Sequence, residues 1–147
     1  MIYIVLILFI FIIEWLIKNH VEKYGREEEN RPALHNMILL TKFHNYGAFR
    51  GLGHKKTVVV KSISVFLTVV LTLLFVVTLG KMGKHPLKAG LSLLLGGAYS
   101  NTYDRIKRSY VVDYFRINVK WKPLRDLIFN LSDFCIIIGA LVTILGE

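Results

Sequence analysis

The chain of 147 residues carries only ten carboxylates against nineteen lysines and arginines, so each acid can be weighed singly. Three of them form the run Glu27–Glu28–Glu29, which reads as a solvated face. The four with chemical promise are Glu14, Asp104, Asp113 and Asp133. Asp133 sits in the apolar stretch FNLSDFCIIIG with Asn130 one helical turn before it, a spacing that puts both side chains on one helix face and turns Ser132 and Cys135 elsewhere. Asp113 lies in the aromatic and aliphatic segment SYVVDYF. An acid in such surroundings needs a partner or a water-filled cavity. Two carboxylates brought together at low dielectric cannot both ionise, so one keeps a proton. The ionised one can then take a proton from water while its neighbour protonates a carbonyl oxygen, which is metal-free hydrolysis by an aspartate pair. The plainer reading makes Asp133 a polar contact between helices and Asp113 an ordinary loop acid.

Further polar groups gather in GGAYSNTYDR, at 96–105. There Asn101, Asp104 and Arg105 stand where an apolar block gives way to polar sequence, and Asp104 with Arg105 reads as a charge pair or a clamp. The guanidinium offers a rigid fork of donors for carbonyls or phosphates, or else it snorkels from a helix end. Gly96 and Gly97 would let a helix or a ligand approach the backbone closely. Glu14 and Lys18 are an acid–base pair at i, i+4.

Other chemistries lack their residues. The histidines His20, His35, His44, His54 and His85 are scattered, and only His44, beside Asn45, lies near a motif, where it reads as a loop polar group. No HExxH or Cys/His spacing suits zinc, and a carboxylate pair alone suits Mg²⁺ poorly. No phosphate-binding glycine loop and no G-x-S-x-G elbow is present. Cys135, the single cysteine, reads as a small buried apolar residue and cannot form an internal disulfide. No metal and no cofactor is expected.

The elements that must position these groups follow from the hydropathy. With 54% hydrophobic residues and a mean hydropathy of +0.50, the apolar residues fall into four blocks, at about 1–17, 57–80, 86–103 and 124–146. A helix rising ~1.5 Å per residue needs about 20 residues to cross a ~30 Å hydrocarbon core, and inside it the backbone must bond to itself. The expected fold class is therefore an all-α membrane protein of four transmembrane helices forming a single domain. The first block lacks a basic leader and a small-residue cleavage site, so it reads as a retained span. The long polar segment 18–56 ends in MILLTKFHNYGAFRGLG, which suits a short strand pair or an interfacial segment. Tyr110 and Trp121 suit the headgroup layer.

The net charge of +9 does not point to nucleic acid. Its basic residues flank apolar blocks, where they meet anionic lipid headgroups, and no nucleic-acid-binding module is visible. Nine Lys and Arg fall in 18–61, three in 81–88 and seven in 104–126. By that tally the two long loops would face the cytoplasm.

The stretches EWLIK at 14–18, HNYGAF at 44–49, GGAYSNTYDR at 96–105, VVDY at 111–114 and FNLSDFCIIIG at 129–139 together resemble lipoprotein signal peptidase, also called signal peptidase II. Each motif is weak alone; their order and their placement against the four blocks make the set specific. The resemblance implies that Asp113 and Asp133 are the catalytic aspartates. It implies that Asn101, Asp104, Arg105 and Asn130 support them, with Gly97 one turn earlier. Asn45 and Gly47 would help shape the substrate site, and Glu14 with Lys18 would form a structural pair at the end of the first span. Two departures mark a divergent member: Glu14 stands where the family has aspartate, and Phe49 and Arg50 replace the second alanine and the phenylalanine of Asn-x-Gly-Ala-Ala-Phe.

The implied activity is removal of the signal peptide from bacterial prolipoproteins, cut before a cysteine bearing diacylglycerol, by a monomer in the cytoplasmic membrane that contacts membrane lipids. The family topology puts both termini in the cytoplasm and the active site outside, against the charge tally, and is preferred here because that rule is overridden by individual helices. Two other readings stay open: a non-enzymatic four-helix scaffold, chaperone or small transporter, and an inactive homologue.

Overall fold

The computed structural model describes residues 1–27, 29–47 and 53–146, with the side chains of 53–56 outside the described set. In chain order the elements are α1 (Ile2–Tyr24), β1 (Arg31–Ala33), β2 (Ile38–Asn45), α2 (Gly53–Leu79), α3 (His85–Arg108), β3 (Val111–Ile117), α4 (Lys122–Arg125) and α5 (Leu131–Leu145). Phe49 and Arg50, the departures in the HNYGAF loop, lie outside the described residues.

Two helical stretches, Ile2–Tyr24 and Thr57–Leu79, are long and apolar enough to cross a membrane, with mean hydropathies of 2.2 and 2.6. Only 22% and 17% of their windows are buried inside the protein. Core helices of a soluble domain hide their apolar faces; these expose Phe9, Ile12, Phe66, Leu73 and Val77, as a lipid-facing helix does. The fourth apolar block is helical as α5 only from Leu131, because the chain first makes the single turn of α4 and then runs extended to Asn130.

α3 is the hub, packing against α1, α2 and α5. Its sequence is the most polar of the long helices, yet Leu91, Ser92, Leu95, Ser100, Asn101 and Asp104 are all buried. Pro86 in its first turn removes an N–H that would have no partner there, and Ser109 closes its end in the left-handed conformation at φ 68°. Leu91 and Leu95 form the apolar centre with Ile7 of α1 and Phe75 of α2. Gly97 sets the approach of α5: a Cβ there would stand 2.5 Å from the Ser132 carbonyl oxygen and 2.9 Å from Ile136 Cγ1. The neighbour that Gly97 admits is thus a helix, not a ligand.

The strand pair expected between the first two blocks is present and gains a third member. The antiparallel sheet runs β1-β2-β3, with β3 supplied by the segment after α3. In it Phe43 faces Asp113, His44 faces Val112 and Asn45 faces Val111, after an irregularity between Leu40 and Phe43. The first four residues of β3 are buried, so this end of the sheet sits in the mouth of the helix bundle.

Candidate active site

Asp113 is placed by β3 and Asp133 by the first turn of α5, and Asn130 joins them. Phe129 exchanges backbone hydrogen bonds with Phe115, accepting from its N–H at 3.1 Å and donating to its carbonyl at 2.8 Å. That bridge lays the residue ahead of α5 alongside the strand bearing Asp113. Asn130 then donates through Nδ2 to Asp113 Oδ1 at 2.7 Å. Its Oδ1 accepts the Asp133 backbone N–H at 3.0 Å, while Asp133 Oδ2 accepts the Asn130 N–H at 3.0 Å. This is a reciprocal capping box. It also corrects the sequence expectation that Asn130 and Asp133 share a helix face. Asn130 is extended, with φ −127° and ψ 170°, and touches Asp133 as its cap.

The second oxygen of each carboxylate is held as well. Asp113 Oδ2 accepts from Asn45 Nδ2 at 2.8 Å, at the end of β2. The Asn45 side-chain oxygen takes the Gly47 N–H at 2.8 Å. Gly47 has φ +97°, where a side chain would be strained, and a Cβ there would press on Val60. Asp133 Oδ1 accepts from Asn101 Nδ2 at 3.0 Å.

Behind Asn101 lies a buried charge network. Lys18 Nζ donates to Asn101 Oδ1 at 2.8 Å and Ser100 Oγ at 3.0 Å, and stands 3.2 Å from Asp104 Oδ2. Glu14 is further off at 3.9 Å. Its carboxylate serves other groups, accepting the Ser132 N–H at 2.6 Å and the Tyr114 hydroxyl at 2.8 Å. Tyr114 in turn accepts the Leu131 N–H at 2.9 Å. The first three N–H groups of α5, which a helix cannot satisfy internally, are therefore bonded by Tyr114, Glu14 and Asn130. Glu14 ties the first span to the helix carrying Asp133 as much as it pairs with Lys18.

Asp104 and Arg105 do not form the pair that their adjacency suggests. Asp104 accepts the Val112 N–H at 3.2 Å and faces Lys18 and Arg108. Arg105 donates to the Asn101 carbonyl at 3.3 Å, and its buried Nε has no hydrogen-bond partner among the described residues. Tyr114 was missed in the sequence, although its place beside Asp113 in an alternating strand was a usable signal: the two side chains leave opposite faces of β3.

The electrostatics separate Asp113 from an ordinary acid. It is 1% exposed. Burial, and next the nearby charge of Asp133, push its carboxyl up from 3.8 to about 7, against the opposing hydrogen bonds of Asn45 and Asn130. Burial likewise pushes the Tyr114 hydroxyl up, keeping it a donor to Glu14. Cys135, half-buried, bears no disulfide. Among the described residues no cluster of three His, Cys, Asp or Glu side chains is arranged to hold a metal ion. An apolar groove lies elsewhere, between α1, α2 and α3. It has a volume of about 490 Å³ and is lined by Phe11, Val65, Val69, Leu73, Tyr103 and Ile106 among others.

A family model described as signal peptidase (SPase) II matches residues 5–146. The lipoprotein signal peptidase of Halothermothrix orenii is 30% identical over 147 residues, covering 99% of this chain and 93% of that protein. That of Moorella thermoacetica is 29% identical over 140 residues, covering 95% and 88%. A solved bacterial membrane enzyme superposes with a TM-score of 0.83 at 22% identity, over 98% of this chain and 90% of the other.

Proposed function

The chain belongs to the signal peptidase II family, a family of peptidases, and from that membership we propose that it is a membrane-embedded aspartic endopeptidase acting on diacylglyceryl-modified prolipoproteins. The observation that carries the aspartic reading is Asn130, which donates to both carboxylates, through Nδ2 to Asp113 and through its backbone N–H to Asp133. Asp113, raised to about 7, is the acid, and protonates the carbonyl oxygen of the scissile bond. Asp133, ringed by the N–H donors of Asn101 and Asn130, is the acceptor that takes a proton from water. The hydroxide adds to the carbonyl carbon, the C–N bond breaks, and the amine leaves with a proton from the pair. Arg105, whose buried Nε has no hydrogen-bond partner among the described residues, lies near both acids and orients a substrate carbonyl.

The four helices α1, α2, α3 and α5 each cross the membrane of a monomeric single domain, with the sheet and both aspartates at the extracytoplasmic face. Acyl chains of the substrate or of bilayer lipids lie along the apolar groove between α1 and α2. Its hydroxyls already pair with each other, Thr68 with Thr102 and Thr72 with Tyr99, both at 2.8 Å or less, and so ask nothing of an alkyl chain. A reporter fused to the C-terminus is expected to be active inside the cell; activity outside would reverse the orientation.

The test of function is cleavage of a synthetic lipidated signal peptide by the purified protein. The wild type is expected to release the signal peptide, and Asp113→Asn and Asp133→Asn to insert normally and release none. Unchanged cleavage by either variant would overturn the aspartic mechanism.

A further inference from the structure

Away from the aspartate pair, a second ionisable cluster lies where the end of α1 meets the sheet. His44 of β2 places Nε2 at 3.0 and 3.1 Å from the two oxygens of Glu22, and Nδ1 at 3.3 Å from Glu27 Oε1. Its ring stacks on Tyr110, with centroids 4.0 Å apart, and the Tyr110 hydroxyl donates to Glu22 Oε1 at 2.8 Å. Lys42 donates to the Glu22 backbone carbonyl at 2.9 Å and lies 3.7 Å from its carboxylate. Among the described residues, Arg108 at the end of α3 and Tyr46 also face the cluster. Both ring nitrogens of His44 thus face a carboxylate, Nε2 within hydrogen-bond contact of Glu22 and Nδ1 close to Glu27.

The cluster sits at the site end of the β2·β3 ladder. His44 directly precedes Asn45, whose amide holds Asp113, and Tyr110 directly precedes Val111, the ladder partner of Asn45. Glu22 thus grips both strands at the point where they deliver Asn45 and Asp113. We propose that His44 is a positioning residue, clamped between Glu22 and Glu27 and stacked on Tyr110, that holds Asn45 in hydrogen-bond contact with Asp113. The proposal deepens the peptidase reading and rests on it for its effect on turnover, though not for its effect on Asp113 itself. Tyr110, pushed up to about 12 mainly by burial and then by Glu22, stays a donor to Glu22.

The experiment compares the full-length wild type with His44→Gln and Glu22→Gln, each alone and combined with Asn45→Ala. The first readout is the carboxyl titration of Asp113 by ¹³C NMR, assigned with Asp113→Asn. Loss of the Asn45 donor is expected to move that titration upward in both clamp variants, to the position seen in Asn45→Ala. The second readout is cleavage of the lipidated peptide. Turnover is expected to fall about tenfold with KM unchanged, the scale of a small misplacement in a reacting geometry. Adding either clamp variant to Asn45→Ala is expected to cost nothing more. An unmoved Asp113 titration, or losses that multiply in the combined variants, would overturn the clamp. If the wild type leaves the peptide intact, the peptidase reading fails and the titration still decides the role of His44. Glu22→Gln covers the case in which His44→Gln does not fold.

Discussion

Asn130 and Asp133 cap one another. The Asn130 oxygen takes the Asp133 N–H at 3.0 Å, and an Asp133 oxygen returns the favour to the Asn130 N–H at 3.0 Å. The spare Nδ2 of Asn130 reaches Asp113 at 2.7 Å. One side chain therefore starts the helix bearing the second acid and fixes the first acid beside it.

The two duties separate by substitution. Serine at 130 still caps α5 but is too short to reach Asp113, whereas alanine does neither. Both Asn130→Ser and Asn130→Ala are expected to lose most peptide cleavage. Only Asn130→Ala should also lose about 1 kcal/mol of unfolding free energy, the usual worth of an N-cap. Equal stability of the two variants in denaturant titration would argue that the cap contributes nothing.

Asp113 makes stability depend on pH in a definite sense. Its folded value of about 7 exceeds the ordinary 3.8, so the folded state binds its proton more tightly than the unfolded chain. The resulting stabilisation is full below about 3.8 and is lost as pH rises through about 7. Melting temperatures from pH 4 to 8 are expected to decline by this contribution in the wild type and to decline less in Asp113→Asn. The cleavage kcat/KM should fall over the same upper range, since that parameter reports the free enzyme's acid. A profile flat from pH 6 to 9 would contradict the assignment of Asp113 as the acid.

Lys18 is 1% exposed and its nearest acid, Asp104, is 2% exposed. Lys18→Met leaves the buried Asp104 carboxylate without its nearer cation, with Arg108 3.6 Å from the other oxygen, and leaves Asn101 without its donor; the expected cost is about 3 kcal/mol. Lys18→Met combined with Asp104→Asn should recover part of that loss. Thermal unfolding in one detergent measures both; a single variant as stable as the wild type would show that the network is not stabilising.

Gly97 and Gly80 give a matched pair. Alanine at 97 drives a methyl to 2.5 Å from the Ser132 carbonyl, next to Asp133, whereas at 80 the nearest atom is 3.9 Å away. Gly97→Ala is expected to destabilise by about 1–3 kcal/mol, as overpacking does, and to slow cleavage by shifting α5. Gly80→Ala should behave as wild type. Comparable melting temperatures for the two would show that α5 yields freely.

Much of the candidate site was legible in the sequence because its cost is local. An acid among Ile, Phe and Val is visible without knowing its partner, so Asp113 and Asp133 stood out, as did Asn101 and Asp104 at the end of an apolar block. Runs of apolar residues are equally local, which is why α1 and α2 could be read from hydropathy alone. The strand pair in the first long loop was readable from its β-prone residues, but not its third strand, which comes from a segment far along the chain.

What the tertiary structure alone decided is who partners whom. Sequence neighbours suggested Asp104 with Arg105 and Asn130 on a helix face with Asp133; the fold gives Asp104 to Lys18 and makes Asn130 a cap. Glu14 looked like half of an i, i+4 pair, yet its shortest contact is the Ser132 N–H, 118 residues away. His44, by its sequence a bland loop residue, is wedged between two acids. Burial marks a residue through its immediate surroundings in the chain, whereas hydrogen-bond partners are chosen by the packing of α1, α3, α5 and β3 together. The sequence by itself determined which groups would be costly to bury, and only the assembled helices and sheet determined which groups offset that cost.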